Sequence, residues 1–302
     1  MPHQTLIDVA TLRTLLASST PLLLLDCSFD LADTDQGERR HAAGHLPGSH
    51  YVHLDRDLAA PKHAAGPLSA QFTGRHPLPG RADFARRAGQ LGVRPGLQVI
   101  TFDGESGVYA ARGWWMLRWI GHADVAVLDG GINAWLAGGG TLTSATSPPP
   151  VAAPPYPQGE TTMPVVDAAT LLASINAPKS PGSATPRSGA ALQLLDARAP
   201  ERFRGETEAL DPVAGHIPGA SNRLFKLNLQ ADGHFKPAAQ LREEFDLLMS
   251  GRPEDVVHQC GSGVTACHNL LAMAHAGLGG SRLYPGSWSE WCADPARPVA
   301  QG

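Results

Sequence analysis

A cysteine followed at once by small residues, Cys260-Gly261-Ser262-Gly263-Val264-Thr265-Ala266, is the stretch of this chain best suited to covalent chemistry. A cysteine thiolate is a strong nucleophile and can carry a transferred group from one reactant to the next. Gly261 and Gly263 tolerate left-handed backbone angles, so the N–H groups of Gly261, Ser262, Gly263, Val264 and Thr265 can turn toward the sulfur. Those donors would stabilise an anion at that place. A free cysteine is more often a small buried apolar side chain. A Gly-Ser-Gly loop directly after it fits that role poorly, and Cys260 is read as a nucleophile.

Such a loop needs a strand to deliver it and a helix to follow it. The apolar run 256–259 reads as a buried strand, and Val264, Cys267, Leu271 and Ala274 then recur at helical spacing, with Gly277 placed to end the helix. Cys267 falls on the apolar face and is expected to be buried and inert. In the first half, 22–25, 51–54, 99–102 and 125–128 read as strands, and 82–91 and 110–120 as helices. Strands alternating with helices predict an α/β fold, an open and mostly parallel sheet with helices on both faces. Its ligands bind at the carboxyl ends of the strands.

The chain repeats itself. Leu24-Leu25-Asp26-Cys27 recurs as Leu194-Leu195-Asp196-Ala197, and Gly44-His45-Leu46-Pro47-Gly48 as Gly215-His216-Ile217-Pro218-Gly219. Leu128-Asp129-Gly130 with Trp135 recurs as Tyr284-Pro285-Gly286 with Trp291. A repeat of this length signals two copies of one domain. Residues 1–145 form the first, 146–162 a proline-rich linker, and 163–302 the second. Pro148-Pro149-Pro150 and Pro154-Pro155-Tyr156-Pro157 make that linker extended and semi-rigid. Another Pro/Ser/Gly-rich stretch, 177–189, reads as a surface loop. The strands align so that Asp103 stands where Cys260 stands, in a loop one residue longer. An aspartate cannot act as a thiol nucleophile, so the first copy is expected to be inactive.

Composition narrows the partners. The chain has 302 residues and a formal net charge of −4, which favours neither nucleic acid nor an anionic membrane. The four cysteines are scattered at 27, 260, 267 and 292 with no CxxC pair, so neither a disulfide framework nor a zinc site is expected. The apolar run at 22–25 is too short to span a bilayer, and the start Met-Pro-His-Gln lacks the basic n-region of a signal peptide. A cytoplasmic protein with reduced thiols is expected.

Taken together, the doubled Gly-His-(Leu/Ile)-Pro-Gly, Tyr109-Ala110-Ala111-Arg112-Gly113-Trp114-Trp115, the Cys260 loop and Gly286-Ser287-Trp288-Ser289-Glu290-Trp291 carry a resemblance. Over nearly its whole length the chain resembles the tandem-rhodanese sulfurtransferases, and among them most the 3-mercaptopyruvate sulfurtransferases. The resemblance implies two tandem rhodanese-like domains and a reaction in which the cysteine takes a sulfane sulfur as a persulfide. A thiol, a thioredoxin-type protein or cyanide then accepts the sulfur. No metal or organic cofactor is implied.

Within that family, thiosulfate-preferring enzymes carry two cations directly after the cysteine, whereas Gly261 and Ser262 are neutral here. The resemblance makes Arg202 the donor's carboxylate-binding residue and Ser262, His76 and Asp55 a proton relay. The loop from Gly261 through Gly263, Val264 and Thr265 would hold the persulfide. One position departs from the pattern: a second arginine is usual nine residues after the first, and Asp211 stands there. Arg204 and Arg223 are the candidates to replace it. The alternatives are a thiosulfate-preferring enzyme and a persulfide carrier without turnover. A cysteine phosphatase needs a loop arginine to hold phosphate, and residues 261–266 contain none. Arg112 and Arg198 are expected to pair locally. His45 and His216 are expected to shape turns, and Trp114, Trp115, Trp288 and Trp291 to fill space.

Overall fold

The computed structural model of this chain describes residues 2–18, 20–62, 71–177 and 192–302. The loop expected at 177–189 lies outside the described residues from 178 onward. The chain divides into two compact units, each discontinuous in sequence. One comprises Met1–Pro61, Leu78–Thr162 and Asn228–Pro237, and the other Lys62–Pro77, Met163–Leu227 and Ala238–Gly302.

The first unit holds a sheet of five strands: β1 (Leu6–Ile7), β2 (Leu22–Asp26), β3 (Ser49–Tyr51), β4 (Gln98–Phe102) and β5 (Val125–Leu128). They lie in the order β1-β5-β4-β2-β3 and every pair is parallel. A parallel sheet is covered on both faces, so its strands read as unbroken apolar runs. The leucines of β2 and the wholly buried β4 show this, with Leu24 opposite Ile100 at the centre. Leu12, Leu46, Phe102 and Leu128 complete the core around them.

The expected helices occur, at Arg81–Gln90 and Ala110–Trp119. The strand expected at 51–54 is instead the shorter β3, ending at Tyr51. Beyond it the His53 ring accepts the N–H groups of Asp55 and Arg56 and caps a helix at Leu54–Asp57. β1, only two residues long, is too short to show a periodicity. The proline-rich residues 144–162 form neither helix nor strand. The Ala153 and Tyr156 amides donate to the Gly89 and Ala85 carbonyls on the helix Arg81–Gln90. Gly89 is required there, because a Cβ would collide with the Pro154 carbonyl.

The second unit repeats the plan with β6 (Gln193–Asp196), β7 (Ser221–Asn222), β8 (Val256–Gln259) and β9 (Arg282–Leu283), in the order β7-β6-β8-β9 and again all parallel. In place of β1 there is a single parallel bridge from Val165 to Leu283. Leu171, Leu194, Ile217, Val257 and Trp288 fill its core. The four tryptophans expected to fill space are all buried.

His45 and His216 behave alike. Each bonds through Nδ1 to a carbonyl, of His41 and of Phe203, and each forms an antiparallel bridge, to Thr143 and to Ala300. The Gly-His-(Leu/Ile)-Pro-Gly repeat is therefore a structural corner of each unit. Among the described residues, no helix is long and apolar enough to cross a membrane.

Candidate active site

Cys260 follows β8 directly and is only 2% exposed, with the helix Thr265–His275 opening five residues later. It therefore lies at the carboxyl end of a parallel strand and beside a helix N-terminus, whose first N–H groups have no partner within the helix. A second segment fixes its backbone. The Cys260 N–H donates to Ser287 Oγ at 3.1 Å, and its carbonyl accepts the Trp288 N–H at 3.0 Å. The Ser289 N–H donates to the Gly261 carbonyl at 2.9 Å. Gly263 has a φ of +74°, and a Cβ there would strike the Pro285 carbonyl. The loop is thus clamped against Pro285-Gly286-Ser287, which explains why small residues follow the cysteine.

Ser262 Oγ and His76 Nδ1 share a hydrogen bond of 2.7 Å, both side chains being buried. Which of the two donates depends on the histidine tautomer. His76 belongs to a short segment held on the same clamp. Gly74 has a φ of +101°, and a Cβ on it would lie 2.8 Å from the Gly286 carbonyl oxygen. The Arg75 N–H donates to Ser289 Oγ at 3.1 Å.

Arg202, in the helix Pro200–Phe203, turns toward the loop. A Cβ on Gly261 would lie 3.7 Å from its Nη1 and 2.7 Å from Nη2 of Arg75. Sequence reasoning missed Arg75; the one signal for it was a cation directly before His76. Two acids match the two cations. Glu208 accepts from Arg202 Nη2 at 2.6 and 2.9 Å and from its Nε at 3.2 Å. Burial disfavours the Glu208 charge, but the Arg202 bonds together with those from the Leu210 and Asp211 N–H groups outweigh it and hold the carboxyl below its usual range. Asp211 pairs with Arg75 through Oδ1 and lies 3.3 Å from Arg202 Nη2 through Oδ2. Burial raises the Asp211 carboxyl above its ordinary value, with Arg75 and then Arg202 pulling against that shift.

The candidates to replace a missing cation do not do so. Arg204 pairs with Glu206 at the surface, and Arg223 pairs with Glu244 over the Phe245 ring. A charge beside Asp211 comes from Arg75, a segment that sequence spacing does not connect to it. Arg198 is locally paired as expected, to Asp196 at 2.7 Å. Arg112 donates to the Leu58 carbonyl. Asp55 belongs to the first unit, on the helix Leu54–Asp57. Burial pushes the Cys27 thiol far up, and it pushes the Cys292 thiol to about 12, with Asp211 adding to the latter. Cys267 is fully buried, with Sγ 3.3 Å from the Gly263 carbonyl oxygen.

The first unit holds an internal counterpart of this loop. Asp103 follows β4 as Cys260 follows β8, and its carboxylate accepts four backbone N–H groups. Oδ1 takes those of Glu105 and Gly107 at 2.9 and 2.8 Å, and Oδ2 those of Tyr109 and Ala110 at 2.8 and 2.9 Å. A loop of this plan is a cradle for a buried anion.

Comparison with known proteins agrees with the repeat. The family profile of the Rhodanese-like domain matches residues 8–138 and 184–294. Over 288 residues, 94% of either chain, the sequence is 47% identical to a Pseudomonas aeruginosa protein named probable 3-mercaptopyruvate sulfurtransferase. It is 33% identical over 290 residues to a thiosulfate sulfurtransferase of Cricetulus griseus, covering 93% of this chain and 89% of the relative. Among solved structures it is similar to the 3-mercaptopyruvate sulfurtransferase of Leishmania major. That match has a TM-score of 0.76 at 28% identity and covers 96% of this chain and 75% of that one.

Proposed function

The chain belongs to the rhodanese family of sulfurtransferases, and from that premise we propose that it moves sulfur from 3-mercaptopyruvate through a persulfide on Cys260. The observation that carries this reading is the Asp103 cradle. In its support, the loop of the first unit wraps a buried carboxylate with four amides, and Cys260 follows its strand in the second unit as Asp103 does in the first.

In the first half-reaction the Cys260 thiolate attacks the donor sulfur and the carbon–sulfur bond breaks. Its electron pair goes to carbon as the enolate of pyruvate. The sulfhydryl proton moves to that carbon, leaving pyruvate and an anionic persulfide. The Gly261, Ser262, Gly263, Val264 and Thr265 amides would hold that anion, as four amides hold Asp103. Ser262 and His76, 2.7 Å apart, would relay the proton. Arg202 binds the donor carboxylate through the planar fork that suits it. In the second half-reaction an acceptor thiolate attacks the outer sulfur and releases Cys260.

Neutral Gly261 and Ser262 favour a donor with a single carboxylate, in keeping with the name of the Pseudomonas aeruginosa relative. The acceptor is a small thiol or a thioredoxin-type protein. Four buried thiols fit a reducing, cytoplasmic setting.

Steady-state kcat/KM for 3-mercaptopyruvate and for thiosulfate, side by side with a dithiol acceptor, tests the reading. Cys260→Ser should lower turnover by about 10³-fold or more. A preference for thiosulfate would move the donor assignment. Cys260→Ser turning over like the wild type would remove the mechanism, and a wild type inert on both donors would leave a carrier.

A further inference from the structure

Arg75 reaches the Cys260 loop from a segment distant in sequence. Its Nη2 lies 2.7 Å from the point a Gly261 Cβ would occupy, nearer than either terminal nitrogen of Arg202. The side chain is 21% exposed, so a solute can reach it, while its acid Asp211 is 2% exposed. Three contacts aim it. Gly74 packs against the Gly286 carbonyl at a left-handed φ, the Arg75 N–H is fixed on Ser289 Oγ, and Asp211 takes Nη1. Asp211 is itself held by its N–H on Glu208 Oε1 at 3.2 Å, and Glu208 is the bidentate partner of Arg202. A guanidinium gripped at one terminal nitrogen keeps its other donors in a fixed plane, the geometry that recognises a carboxylate.

We propose that Arg75 is a second donor-binding cation of this active site, with Asp211 as the positioning residue that turns its Nη2 toward Gly261. The proposal rests on the reading of Cys260 and its carboxylate donor given above. It explains an acid at 211: the acid anchors a cation brought in by the segment that also carries His76. The pair Arg75–Asp211 thereby ties donor binding to the placement of the Ser262 partner.

Steady-state kinetics with 3-mercaptopyruvate, together with the inhibition constant for pyruvate, test it on Arg75→Ala, Arg75→Lys, Asp211→Asn and the double variant Arg75→Ala/Asp211→Asn. Arg75→Ala should raise KM and the pyruvate constant by about tenfold or more, with kcat changed by no more than about threefold. Arg75→Lys should recover part of the loss, since it keeps the charge and loses the fork. Asp211→Asn alone should raise KM by about threefold, and by clearly less once Arg75 is alanine, because only its 3.3 Å contact with Arg202 then remains. An unchanged KM in Arg75→Ala overturns the assignment, and an equal KM rise from Asp211→Asn in both backgrounds overturns its positioning role. Should Arg75→Ala fail to fold, Asp211→Asn decides the matter, and an unchanged KM there overturns the proposal. A wild type without Cys260-dependent turnover would instead fail the underlying reading.

Discussion

The Asp103 loop and the Cys260 loop are built alike from different chemistry. Each leaves the end of a buried parallel strand and runs into a helix, Ala110–Trp119 in one unit and Thr265–His275 in the other. Each has its first carbonyl tied down by the segment after the next strand. Ile132 N–H donates to the Asp103 carbonyl at 2.9 Å, and Trp288 N–H to the Cys260 carbonyl at 3.0 Å. The residue before each donor is left-handed, Gly131 at φ 58° and Ser287 at φ 55°. What differs is the anion. The first loop closes on its own carboxylate, and its amides are satisfied by the fold. The second offers a shorter loop and a sulfur, the place where the proposed persulfide would form. The comparison teaches that one strand–loop–helix plan can carry either a carboxylate or a thiol at its root, with a loop one residue longer around the carboxylate.

Taking the anion out of the first loop should have the largest effect. Asp103→Ala strips four buried amides of their acceptor. Even with a water entering the space, this should destabilise the first unit by about 3 kcal/mol. Asp103→Asn keeps one acceptor oxygen and should fall between the two. Urea unfolding followed by tryptophan fluorescence reads the shift. A loss under about 1 kcal/mol for the alanine would mean that the carboxylate does not hold the loop.

The strands below the loops also differ. β4 has Thr101, whose hydroxyl donates to the Ala110 carbonyl at 3.1 Å; β8 has His258 at the aligned place, fully buried with Nε2 3.0 Å from Met273 Sδ. Burial lowers the His258 pKa from 6.5 to about 3, with Arg223 adding to the shift. The folded imidazole therefore stays neutral while the unfolded one takes up a proton below pH 6.5. Its contribution is fully present above that value and is lost as pH falls toward 3, by about 1.4 kcal/mol per unit. From pH 7 to pH 5 the wild type should lose about 2 kcal/mol through this group. His258→Thr, which copies the first unit, should flatten the pH dependence by that amount. Equal slopes for the two proteins would show the histidine to be protonated in the fold.

Much of this was legible because it rests on local pattern. Apolar runs mark buried parallel strands, and a cysteine followed by Gly-Ser-Gly marks a tight loop between a strand and a helix. The repeat itself exposed Asp103 as the odd partner of Cys260. His76 came only through resemblance, since a histidine beside prolines reveals nothing of a serine 186 residues away. Arg75 and Asp211 were harder still. Read alone, Asp211 looks like an acid that would repel a donor, and only the fold shows the arginine 136 residues distant that it holds. Ionic partners carry no periodicity, so tertiary contacts alone pair them. β1 and the helix at Leu54–Asp57 were missed for a simpler reason, being too short for a period to show.

The smallest effect expected is also the finest test of the two loops. Ser287 occupies a left-handed position that its counterpart fills with Gly131, where a Cβ would strike the Asp103 carbonyl oxygen. A serine there is strained by about 1 kcal/mol. In return its Oγ accepts the Cys260 N–H at 3.1 Å and donates to the Tyr284 carbonyl at 2.9 Å. Ser287→Gly relieves the strain and loses both bonds, so stability should move by less than about 1 kcal/mol. Ser287→Ala keeps the strain and loses the same bonds, and should be less stable than the glycine variant by about 1 kcal/mol. Both variants release the backbone at Cys260, so kcat/KM should fall by a similar few-fold in each. That combination, unequal stability with equal loss of activity, separates a serine that aims Cys260 from one that merely fills space. If the alanine variant were as stable as the glycine variant, the left-handed position would carry no strain. If neither lost activity, the Oγ bond would have no part in placing the sulfur.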